Sequence, residues 1–252
     1  MRQIGFSTGA VAYGDFKGAL NLLAPRKLPC IELSALRMTE VEKLVHAIPY
    51  LDLAGYHYVS FHAPSSFSAN EEIGLVELLY AGVPKTWPIV LHPDTIWNPD
   101  LWRRLGDRVA VENMDRRKPI GRSVGELARI FEKLPDALLC FDIGHARQCD
   151  SSMTEAFLIL SAFEKKLAQV HLSEVNSESQ HDPISYGAML AFQQVASLIP
   201  ERVPVILESR VTSEHILREV ERARHSLGVD VAPKGKKSLA PKVQPQGWLH
   251  PN

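Results

Sequence analysis

The chain has 252 residues, 45% of them hydrophobic and 23% charged, with a formal net charge of −1, so it can bury a full-sized core and its length lies near the ~250 residues of an eightfold βα barrel. It contains no run of about 18 apolar residues and no basic start leading into an apolar stretch, so neither a membrane span nor a secretory leader is expected, and the protein is read as cytoplasmic. The charge balance gives no support to a broad basic nucleic-acid surface, and Cys30, Cys140 and Cys149, at no metal-like spacing, fit a reducing compartment.

In chain order, residues 4–6 read as a first strand, followed by a turn and a helix over 16–23 that Pro25 stops. Residues 30–33 (CIEL) form the second strand, with Glu32 near its end, and Thr39 with Glu42 predicts a capping box at the head of the next helix. The third strand, 57–62, ends in His62-Ala63-Pro64, and the fourth, 87–92, ends in His92-Pro93-Asp94, with a helix over about 70–81 between them. Residues 108–112 (RVAVE) end in Glu112-Asn113, and Ser123 with Glu126 caps the helix that Pro135 terminates. Residues 137–146 (ALLCFDIGHA) are the most telling stretch, an apolar run that surfaces abruptly into Asp142 and His145. A helix near 154–164 leads to the seventh strand, 167–172, with His171 near its end, and a polar loop over 173–185 follows. Then come a helix over 188–198, the eighth strand 204–208 ending on Glu208, and a last amphipathic helix over 213–226.

Eight alternations of strand and helix predict a parallel α/β fold. The G-x-G-x-x-G loop of a doubly wound nucleotide-binding sheet is absent after the first strand, so a closed (β/α)8 TIM barrel is expected, one domain over residues 1–228. Within residues 229–252, the stretch 231–252 holds four lysines, Lys234, Lys236, Lys237 and Lys242, and no acid. They read as a basic, partly disordered tail.

In a barrel the carboxyl ends of all strands meet at one mouth. His62, His92, Glu112, Asp142, His171 and Glu208, spaced 30, 20, 30, 29 and 37 residues apart, would therefore share a cavity. Three carboxylates together repel one another, and with three imidazoles they form a donor set for one to three divalent cations such as Zn²⁺, Mn²⁺ or Co²⁺. His145 and His181 can join the rim. Glu32, Arg147 and Arg210 are candidate substrate contacts.

The segments FHAP, VLHPD, VEN, FDIGHA, VHL and ILES, in this order and spacing, resemble the xylose isomerase-like barrel superfamily, which joins sugar and sugar-phosphate isomerases and epimerases to endonuclease IV. The resemblance covers roughly residues 1–228. Its epimerase branch implies a metal held by Glu112, Asp142, His171 and Glu208, with Glu112 and Glu208 as acid and base on opposite faces of a sugar. Its endonuclease branch implies that His62 and His92 bind too, that Glu112 bridges two metals, and that a third metal uses His145, His181 and the residue two before His181. That residue is Ser179 here, where the pattern has Asp, which weakens a third site. The loop APSSFSAN after His62 lacks the segment that the endonuclease inserts into duplex DNA. The resemblance thus implies a metal-dependent isomerase or epimerase of a small sugar, sugar phosphate or related hydroxy-carbonyl compound, with an endonuclease IV-like phosphodiester hydrolase as the alternative.

Overall fold

The computed structural model describes residues 2–228; the expected tail, 229–252, lies outside them. Eight parallel strands close into a barrel in sequence order. They are β1 (Ile4–Ser7), β2 (Cys30–Ser34), β3 (Tyr58–His62), β4 (Ile89–Leu91), β5 (Val109–Glu112), β6 (Leu138–Asp142), β7 (Leu167–Leu172) and, after a two-stranded hairpin of β8 (Glu174–Val175) and β9 (His181–Asp182), β10 (Val205–Leu207). The barrel closes where β1 pairs with β10. Helices α1 (Thr8–Ala12), α2 (Phe16–Leu23), α3 (Met38–Ala47), α4 (Ala69–Gly82), α5 (Pro99–Arg103), α6 (Val124–Lys133), α7 (Ile143–Cys149), α8 (Thr154–Ala162), α9 (Tyr186–Gln193) and α10 (Ile216–Ser226) fill the connections. None is long and apolar enough to cross a membrane.

The two-residue period of the strands sorts their side chains. One set, including Phe6, Leu33, Phe61, Leu91, Val111, Phe141, Leu172 and Leu207, joins the main hydrophobic core with the helices. The alternate set is small or polar: Val90, Ala110 and Cys140 make a separate inner cluster, and two residues further along the chain from each come His92, Glu112 and Asp142. At Gly5 a Cβ would stand 1.8 Å from the Cys30 carbonyl oxygen, so only glycine lets β1 and β2 pair. In β7 a register irregularity sets Leu139 opposite Leu167 but Cys140 opposite Gln169. This bulge leaves Gln169 and His171 on the same inward face.

Two local expectations are corrected. Helix α3 begins at Met38, its box formed by Arg37 and Glu40 in place of Thr39 and Glu42, because Glu40 Oε2 reaches back to the Leu36 and Arg37 amides. The loop over 173–185 contains the β8–β9 hairpin, paired Glu174 to Asp182 and Val175 to His181. The Ser123 cap is as expected, its hydroxyl accepting from the Glu126 amide.

Candidate metal centre

His62, Glu112 and Asp142 are the last residues of β3, β5 and β6, His171 lies one residue before the end of β7, and His92 and Glu208 directly follow β4 and β10. Their side chains meet around Glu112, which is 1% exposed. Glu112 Oε2 lies 3.2 Å from His62 Nε2 and 3.1 Å from His92 Nε2, while Oε1 lies 3.2 Å from His171 Nδ1 and 3.4 Å from His145 Nδ1. Glu208 approaches His171 Nδ1 at 3.5 Å and His181 Nδ1 at 3.4 Å.

Outer partners choose which ring nitrogen each histidine turns to the centre. His62 Nδ1 contacts the Ala63 carbonyl at 2.6 Å, leaving Nε2 for the cavity. His145 Nδ1 contacts the Asn113 carbonyl at 3.0 Å. His171 is turned the other way: Nε2 faces Glu32 Oε2 at 3.1 Å, beneath the mouth, and Nδ1 faces Glu112. Glu32 also accepts from Ser60 (3.0 Å) and Gln169 (2.7 Å) and is wholly buried. It therefore sits behind His171 and does not border the cavity at the mouth. Asp142 does two jobs, since Oδ1 caps α7 by accepting from the His145 amide at 2.6 Å while Oδ2 is aimed at the centre.

Burial pushes the Glu112 carboxyl up, but the imidazoles of His171, His62 and His92 around it prevail and hold it well below the usual range. Asp142 and Glu208 go the other way, pushed up by burial and by the Glu112 charge, Glu208 to about 8. Burial opposes charge on His62, yet Glu112 and Glu32 raise it to about 9. His181, desolvated and beside His145, falls to about 3.

The mouth opens into a cavity of about 280 Å³ bordered by Ser7, Tyr13, Ser34, Lys118 and Arg210. Arg210 thus stands at the mouth, whereas Arg147 on α7 pairs with Glu174 at 3.0 Å and does not border the cavity. Ser179, in the left-handed region at φ 55°, donates to Asp115 Oδ1 at 2.9 Å and accepts from Gln148 at 2.7 Å. Asn113, Asp115, Arg117, Lys118 and Gln169 were not singled out from the sequence. Only Asn113 carried a signal there, its place beside a strand-end glutamate.

Four donor sets fit divalent cations: His62, His92 and Glu112; Glu112, Asp142, His171 and Glu208; Asp142, His145 and His181; and, deeper in the barrel, Glu32, His62, His171 and Glu208, the donor atoms of each lying within 4.8 Å of one another. Bonds of about 2.0–2.2 Å put opposed donors about 4.4 Å apart, so the sets need little rearrangement. Asp142 Oδ2 supports the fit independently, since it is buried and accepts no hydrogen bond among the described residues. An unpaired carboxylate oxygen in such a place costs several kcal/mol unless a cation meets it.

No family model matches the chain, and no curated protein sequence matches it. Solved structures do. Endonuclease IV from Thermus thermophilus aligns at 19% identity over 88% of this chain and 98% of its own, with a TM-score of 0.55. A protein assigned as a sugar phosphate isomerase/epimerase from Anabaena variabilis aligns at 12% identity over 98% of this chain and 93% of its own, with a TM-score of 0.54. The chain shares the eight-stranded TIM barrel fold with both.

Proposed function

We propose that the protein is a divalent-metal-dependent enzyme that hydrolyses a small phosphodiester at the barrel mouth. The observation that carries this reading is the division of Glu112: Oε2 faces His62 and His92, and Oε1 faces His171, whose set also holds Asp142 and Glu208. One cation needs one such set. Two sets on opposite oxygens of one carboxylate suit a pair of ions, and paired ions, when bound, supply Lewis acidity and a water of lowered pKa for in-line displacement at phosphorus. Glu208, 3.4 Å from His181 and 3.5 Å from His171, completes the second set with Asp142 and His171. The likeness of fold to endonuclease IV supports the reaction class. The cavity, about 280 Å³, suits a small molecule. Phe67, the large apolar residue of the loop after His62, is buried against Trp102 at 6.2 Å and is not offered to a base stack.

A second reading, isomerisation or epimerisation of a sugar or sugar phosphate, is favoured by the set in which Glu112 and Glu208 share a cation position with Asp142 and His171. Two carboxylates flanking one position can take a proton from one face of a carbon and return it to the other. The likeness to the Anabaena protein supports this class equally in fold.

The two separate cleanly in heavy water. The protein as purified is incubated with bis(4-nitrophenyl) phosphate and with a panel of ketoses, aldoses and their phosphates. Hydrolysis predicts metal-dependent nitrophenol release that Glu112→Gln lowers at least 100-fold, with no deuterium on any sugar carbon. Deuterium beside a carbonyl without ester cleavage would establish the second reading instead. Duplex DNA with an abasic site should stay intact.

A further inference from the structure

Three permanent cations border the mouth cavity, and they differ in what holds them. Arg117 Nε pairs with Asp115 at 3.1 Å and Lys118 Nζ with Asp94 at 2.8 Å. Arg210 has no carboxylate within ion-pairing distance among the described residues; its guanidinium carbon lies 5.1 Å from the centroid of the Tyr13 ring. Tyr13 comes from the far side of the closure, just after α1, and its backbone sits at φ 48°, a left-handed conformation that glycine takes far more readily. The residue is 59% exposed, so burial of apolar area does not account for a tyrosine here. What the strained position does is to set an aromatic face under Arg210.

Beyond the mouth, Arg210 also borders a groove of about 440 Å³ with His215, Arg218 and Arg222. The acid of that groove, Glu219, is buried and committed to the Ile184 amide at 2.7 Å and to Arg222 at 3.3 Å. Arg218, like Arg210, enters no ion pair among the described residues. Arg222 is paired with Glu219, so the arginines of this stretch that enter no ion pair among the described residues are Arg210 and Arg218. A planar guanidinium stacked by one face on an aromatic ring keeps its edge N–H groups free for the paired oxygens of a phosphate.

We propose that Arg210 and Tyr13 form an anion subsite that receives a second phosphate of the substrate, one that is not attacked. Resting on the reading of the mouth as a phosphodiesterase site, this narrows the substrate class to small phosphodiesters that also carry a terminal phosphate. Tyr13 acts by orienting the guanidinium, and the groove beside His215 and Arg218 takes the part of the molecule that leads away.

The test is calorimetric titration of inorganic phosphate into the metal-loaded protein. Arg210→Gln should weaken phosphate at least tenfold and Arg210→Lys by less, with metal content and melting temperature unchanged, because the side chain is exposed. Tyr13→Gly should raise the melting temperature, relieving the backbone, while weakening phosphate about fivefold. Acetate should bind the wild type at least tenfold more weakly than phosphate. No phosphate binding at 10 mM, unchanged affinity in Arg210→Gln, or a preference for acetate would overturn the subsite. A His62→Gln/His92→Gln variant tells the two readings apart. Loss of metal with retained, Arg210-dependent phosphate binding upholds the subsite whatever the reaction, whereas affinity that follows the histidines and ignores Arg210 places all the phosphate at the metal centre and refutes it.

Discussion

Asn113 and Asp142 hold each other reciprocally across neighbouring strands: the Asn113 amide donates to the Asp142 carbonyl at 2.8 Å, and the Asp142 amide donates to Asn113 Oδ1 at 2.8 Å. Both residues are wholly buried. Asn113→Ala would strand a buried N–H and a buried C=O, costing about 1–3 kcal/mol for each unpaired group. It would also free the Asp142 backbone to shift, so metal affinity should fall roughly 10–100-fold. Thermal melting and metal titration of the variant measure the two effects separately.

Removing the metal should cost stability, because Glu112, Asp142 and Glu208 repel once no cation lies between them. At a metal concentration about 1,000 times its dissociation constant the linked stabilisation is about 4 kcal/mol, which for a domain of this size is a melting shift of roughly 10 °C on chelation. Asp142→Asn should reverse sign between the two states, melting lower than wild type with metal and higher than wild type in chelator. An Asp142→Asn protein indifferent to metal in both conditions would mean that the carboxylate serves only to cap α7.

Protons compete with the cation for the same atoms. His62 titrates near 9 and Glu208 near 8, each raised, so at pH 7 both carry protons that a metal must displace. His181, near 3, carries none to displace. His171 is pushed well above the usual imidazole range and His145 is raised as well, so apparent metal affinity should rise from pH 6 to pH 8, by about one decade per unit for each proton that a cation displaces. Competition against a chelator of known affinity across that range, or proton release measured by calorimetry in two buffers, checks the slope.

Ser179→Asp puts a second carboxylate against Asp115, which the Ser179 hydroxyl now serves as a donor at 2.9 Å. Arg117 and that hydroxyl overcome burial to hold Asp115 down at about 2, so it stays charged. In chelator the variant should lose roughly 1–2 kcal/mol. With excess metal it should regain it and bind about one more ion per chain through His145 and His181. An unchanged metal count would show that the loop, and not the missing carboxylate, limits a third site.

The strand-end residues were legible because a barrel sends every strand's last side chains to one place, so position along the strand was enough. Direction was harder. Arg147 and Arg210 both follow a ligand position, yet Arg147 lies on α7 and turns to Glu174 while Arg210 faces the mouth. Glu32 was legible as a strand-end acid but not as the partner behind His171, since its depth depends on how β2 and β7 face each other across the barrel. Two-residue strands such as β8 and β9 have no period to read. In α3 several polar residues compete to close the first turn, and only the backbone path decides that Glu40 does so.

The alternation along each strand has one more consequence. Val109 and Val111 hold the helices on, while Ala110 and Glu112, threaded between them, belong to the interior. Durability and chemistry are thus written on interleaved positions of the same few residues. A lineage could exchange its inner alphabet, and with it the reaction, one strand at a time without loosening the outer shell. A laboratory library confined to the inward positions should accordingly return folded barrels far more often than one of equal size spread over whole strands.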